Sequence, residues 1–144
     1  MEQLVEQLKV VQATAFSFYL KAHYFHWNVT GPSFAEYHKF LGDVYEEVHD
    51  SVDVYAELIR ALDAYAPGSL VRFAELTRIQ DEPTIPTSLN MMLRLESDNQ
   101  IMITELKYAR VLAEAMEKFG HVNYIEDRIQ YHDKLGWMLK SFRS

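Results

Sequence analysis

Residues 34–62 read FAEYHKFLGDVYEEVHDSVDVYAELIRAL. Phe34, His38, Leu41, Tyr45, Val48, Val52, Tyr55, Ile59 and Leu62 recur at alternating steps of four and three. That rhythm gathers them on one face of a helix. Ser33 precedes the run and Glu36 follows it by three residues, which has the form of a capping box and predicts the helix start. A run this long with one unbroken period sets the expectation for the whole chain: helix packed on helix.

Reading outward, Leu4, Leu8, Val11, Ala15, Phe18 and Ala22 form a second stripe and predict a helix over residues 2–27, ended by Gly31-Pro32. Downstream, residues 64–87 lose the period. Pro67-Gly68 opens this stretch, Pro83 and Pro86 close it, and residues 70–79 between them can form a short helix. A connection this long is unusual between packed helices, and it suffices to cross a bundle from end to end, so the helices it joins can run parallel. Thr87 or Ser88 is the expected cap of a third long helix, with Met92, Leu95, Asn99, Met102, Leu106, Ala109, Ala113 and Met116 on its stripe and Gly120 as its stop. Asn123 with Glu126 has the form of another capping box, opening a last helix whose Ile125, Ile129, Leu135, Met138, Leu139 and Phe142 face one way. The expected fold is all-α: a four-helix bundle with one long crossover containing a short helix.

The chain has 144 residues and is 49% hydrophobic, which suits one domain spanning 1–144. It has no cysteine, so disulfides, thiolate metal sites and a cysteine nucleophile are excluded. Residues 1–8 carry Glu2 and Glu6 and no basic stretch of the signal-peptide type, and no apolar run approaches the roughly 20 residues that span a bilayer. A soluble, cytoplasmic protein with no membrane partner is expected. The net charge of −7 favours cations over phosphate backbones.

Six histidines and 21 carboxylates direct attention to oxygen and imidazole ligands, which suit iron, manganese or zinc. His26 closes the first helix, His38 lies on the stripe of the second, and Asp53 and Glu57 sit one turn apart at the edge of that stripe. The two acids can share an ion. His26 and His38 flank the Gly31-Pro32 turn, and folding the helices back on each other brings them close. His38 and Asp53, however, are 15 positions apart on one helix, or roughly 22 Å at about 1.5 Å per residue. One chain therefore supplies two half-sites. An antiparallel two-fold partner would lay His38 of one copy beside Asp53 and Glu57 of the other. Taken singly, His38 reads more readily as a hydrogen-bonded core histidine, Asp53 and Glu57 as a solvated face, and Trp27 as core. Spacing alone leaves the metal reading the less favoured one.

The array HWNVTGPSFAEYH over residues 26–38, followed after fourteen residues by DVYAE over residues 53–57, resembles the Dps family of mini-ferritins. Further likeness lies in Ala66-Pro67-Gly68-Ser69, in Phe73 to Ile79, in His132-Asp133-Lys134 and in Trp137-Met138-Leu139. The resemblance implies a ferritin-like bundle and an iron-oxidising site with His26 and His38 from one subunit and Asp53 and Glu57 from its two-fold mate. It further implies a twelve-subunit shell (a dodecamer), Fe(II) as the substrate ion, hydrogen peroxide or dioxygen as the oxidant, and storage of Fe(III) mineral inside. Trp27, beside His26, is expected to shield the site or absorb a stray oxidising equivalent, and His23 to assist proton transfer or bind metal.

Three positions and one terminal feature depart from the family pattern. Many relatives carry an acidic metal ligand four residues after the second histidine, where this chain has Gly42 followed by Asp43. Many have Arg where this chain has Leu58. Asn123 stands at a pore aspartate position, with Asp127 one turn on. Relatives that bind DNA do so through a basic terminal extension, which this sequence lacks, so strong DNA binding is not expected. Two alternatives remain: a di-iron site inside one bundle, for which Glu46-x-x-His49 is the only Glu-x-x-His present, and a helical shell whose site has decayed.

Overall fold

A computed structural model describes residues 1–143; Ser144, the last residue of the expected domain, lies outside the described residues. Four long helices, α1 (Glu2–Asn28), α2 (Phe34–Arg60), α4 (Ser88–Ala115) and α5 (Phe119–Ser141), surround one core, and the short α3 (Leu70–Leu76) lies in the crossover between α2 and α4. Among the described residues there is no strand.

The stripes form most of the core, although Phe34 and Met116, at the ends of theirs, are exposed. Leu8, Val11, Ala15, Phe18, Ala22, Leu41, Val48, Tyr55, Ile59, Leu95, Met102, Leu106, Ala109, Ala113, Ile125 and Leu135 are all fully buried in one cluster. Cross-helix bonds fix the directions. Gln7 reaches Glu105 and Lys21 reaches Asp98, so α4 descends as α1 rises. Arg128 reaches Glu47 and His121 reaches the carbonyl of Leu58, so α5 runs against α2. Hence α2 and α4 are parallel, as a long crossover permits and a short hairpin would not. The crossover is tied down along α1. Phe73 stacks on Phe16 at 4.7 Å, Gln80 O accepts from Lys21 Nζ at 2.7 Å, and Thr84 O accepts from Tyr24 Oη at 2.6 Å.

Local boundaries differ from the expectations at three places. Ser33 is the N-cap of α2 but makes no side-chain cap bond, so the box with Glu36 does not form. Gly31, at φ 116°, turns the chain so that its carbonyl accepts from Phe34 N at 3.1 Å, which satisfies that end through the backbone. The short helix stops at Leu76 because Thr77 turns extended, with φ −63° and ψ 146°. The α4–α5 turn comes earlier than Gly120. Glu117 takes the left-handed position at φ 57°, Lys118 N bonds to Ala113 O at 2.9 Å and Glu117 N to Glu114 O at 3.0 Å. This is the paired C-terminal bonding that glycine usually permits, here formed around a glutamate. Gly120 and Asn123 consequently lie inside α5.

Candidate metal centre

The tight turn at 29–33 folds the end of α1 against the start of α2, and the two histidines meet. His26 Nδ1 lies 2.7 Å from His38 O, and His38 Nδ1 lies 2.8 Å from His26 O. A carbonyl only accepts, so each Nδ1 carries the proton and donates it. In a neutral ring that leaves the lone pair on Nε2, the nitrogen a divalent ion needs. A backbone carbonyl on the non-ligating nitrogen is the usual support of a metal-bound histidine. The two rings stack at 3.8 Å with 16° between planes, and Phe34 stacks on His38 at 4.9 Å. Both histidines are half-buried.

Asp53 and Glu57 sit near the far end of α2, exposed, and their carboxylates enter no hydrogen bond or ion pair among the described residues. Since α2 is one continuous helix, the gap to His38 remains roughly 22 Å. Among the described residues no three His, Asp or Glu side chains converge on a point that could hold an ion. The structure thus joins His26 to His38 and keeps Asp53 and Glu57 apart from them. Glu46 and His49 are exposed, and His49 approaches Asp50 at 3.9 Å; nothing gathers them into the bundle interior.

An aromatic cluster surrounds the imidazole end. His23 stacks on Tyr45 at 3.7 Å and 5°, shares a hydrogen bond with Tyr19 Oη at 3.1 Å and faces Trp27 at 4.0 Å. Burial first, and then the neighbouring His26 and His49, hold its pKa below the ordinary histidine value. Tyr45 carried no separate signal in the sequence, since its position on an apolar stripe reads as core, and Tyr19, off the stripe of α1, carried none at all. Trp27 is 59% exposed and so is not the core residue that its position alone suggested. Leu58 holds no charge, but its carbonyl, in the last turn of α2, accepts from His121 Nε2 at 3.0 Å. Asn123 and Asp127 are exposed on α5.

Comparison with known proteins agrees with this architecture. The family model for the ferritin-like domain matches residues 3–144. The DNA protection during starvation protein of Helicobacter pylori is 32% identical over 137 residues, covering 94% of this chain and 95% of that protein. The structure of Dps from Staphylococcus aureus superposes with a TM-score of 0.96 at 26% identity, covering 100% of this chain and 97% of that one. The structure of antigen TpF1 from Treponema pallidum gives 0.94 at 27% identity, covering 98% and 91%. The chain belongs to the Dps family of ferritin-like proteins. Among the described residues no helix is long and apolar enough to cross a membrane.

Proposed function

We propose that this protein is a ferroxidase that detoxifies and stores iron, with its oxidation sites shared between two-fold-related subunits. The observation that carries the reading is the paired imidazoles of α1 and α2, each with Nδ1 tied to a carbonyl, and, farther along α2 and beyond their reach, two carboxylates without a partner among the described residues. Each half-site lacks what the other offers. An antiparallel α2–α2 pairing would complete two identical sites at once. Imidazole and carboxylate together suit iron in both of its common oxidation states.

In this mechanism Fe(II) is the substrate. His26 and His38 hold it by Nε2, while the partner's carboxylates at positions 53 and 57 supply negative charge. Two Fe(II) ions give two electrons to one hydrogen peroxide, which takes up two protons and leaves as two waters, so no hydroxyl radical is released. Trp27, exposed on one subunit, would be covered by the mate and guard the site. Fe(III) then mineralises inside the shell of a single-domain dodecamer. Dioxygen is the alternative oxidant. The cysteine-free composition suits the cytoplasm, and the net charge of −7 argues against DNA as a partner.

Stopped-flow oxidation of anaerobically bound Fe(II) by peroxide tests the proposal. Oxidation faster than in a protein-free control, lost in His38→Ala and in Asp53→Ala and retained in Glu46→Ala, is the expected outcome. A trace equal to the control would reduce the protein to a helical shell.

A further inference from the structure

Gly42 lies on α2, one turn after His38. A Cβ added there would sit 3.2 Å from Cε1 and 3.3 Å from Nδ1 of His26. Carbon atoms in contact ordinarily rest about 3.5–4.0 Å apart. A side chain at position 42 and the His26 ring therefore compete for one space.

The ring has little room to give way. Its Nδ1 is held 2.7 Å from His38 O, and its plane lies against the His38 ring at 3.8 Å. Tyr45 crowds it at 5.2 Å and His23 at 6.0 Å. His38 cannot retreat either, being tied to His26 O at 2.8 Å and backed by Phe34 at 4.9 Å. Nor does the neighbouring acid take over as a ligand, because Asp43 is exposed and paired with Lys39 at 3.4 Å.

We propose that Gly42 is a positioning residue: its bare backbone is the seat that sets the His26 imidazole for binding a divalent ion. On the sequence alone, position 42 reads as a lost acidic ligand. The geometry of this chain gives it a second meaning, since a side chain added there would press on the His26 ring where it now sits. The inference rests on the metal-site reading of His26 and His38. It also makes the imidazole half-site uncharged at this position, leaving Asp53 and Glu57 of the mate to balance the ion's charge.

Anaerobic Co(II) titration of the assembled protein, followed by its visible absorption, provides the test. Gly42→Ala is expected to weaken Co(II) binding about ten-fold or more, the scale seen when a ligand's support is disturbed. Gly120→Ala is the control, because Gly120 is helical and a Cβ there meets nothing within 4 Å; it should titrate as wild type. Both variants should keep the wild-type assembly size and melting temperature. Gly42→Asp should bind no better than Gly42→Ala. Wild-type titration by Gly42→Ala, or tighter binding with an extra equivalent of Co(II) by Gly42→Asp, would overturn the proposal. If His26→Ala also titrates as wild type, the metal-site reading itself has failed. A crystal structure of Gly42→Ala then judges the seat separately: a displaced His26 ring supports it, and an unmoved ring overturns it.

Discussion

His26 and His38 each donate Nδ1–H to the other's backbone carbonyl, at 2.7 and 2.8 Å. Because the acceptors are main-chain atoms, replacing one side chain leaves the other ring its anchor. His26→Ala should therefore remove a ligand without collapsing the turn. Anaerobic Fe(II) affinity is expected to fall at least about ten-fold, while the melting temperature stays within a few degrees of wild type. Calorimetric titration and a thermal melt of the same sample check the two halves of this statement.

Lys21 Nζ sits 2.8 Å from Asp98 Oδ2 and 2.7 Å from Gln80 O, so one ammonium joins α1, α4 and the crossover. Burial holds the Asp98 carboxyl above its ordinary range, and the attraction of Lys21 only partly offsets that. Asp98→Ala would strand a buried cation and should cost about 3 kcal/mol. The double variant Lys21→Met, Asp98→Leu should recover most of the loss. Melting at one fixed protein concentration is the suitable comparison, since assembly contributes to stability.

These cases mark how far the sequence could be read. Periodicity located all four long helices because each buries one stripe, and most stripe residues from Leu4 to Leu139 are in the core, whereas Phe34 in the first turn of α2 and Met116 just past α4 are exposed because the stripe runs out beyond the packed part of the bundle. Helix ends were less legible. At Ser33 and Glu117 the backbone itself closes the terminus, through Gly31 O and through the Ala113 and Glu114 carbonyls, and side-chain capping patterns carry no trace of that. The distance that separates His38 from Asp53 and Glu57 was legible because rise per residue is fixed. The role of Gly42 was not, because a missing side chain acquires meaning only from what occupies the space beside it. His132 was likewise silent. It is a core residue, with Nδ1 donating to Asn99 Oδ1 at 2.7 Å.

His132 should make the fold acid-sensitive. Burial foremost, and then Arg128, push its pKa from 6.5 down to about 3, and its Nε2 is buried with no hydrogen-bond partner among the described residues. Between those two values the unfolded chain binds a proton that the folded one refuses. Stability therefore falls as pH drops through this window, by up to about 1.4 kcal/mol per pH unit from this group. His132→Gln keeps an amide for Asn99 and removes the titration. Melting temperatures between about pH 5 and 7 should slope less steeply in the variant than in wild type.

The division of the site between subunits is decided by mixing two inactive variants. His38→Ala and Asp53→Ala homomers are each expected to lack rapid Fe(II) oxidation. Unfolded together in equal amounts and refolded, half of the two-fold pairs would be mixed, and each mixed pair would regain one of its two sites. Activity should return to about a quarter of wild type. A mixture as inactive as its parents, under conditions where refolded wild type recovers fully, would mean that both ligand sets must come from one chain.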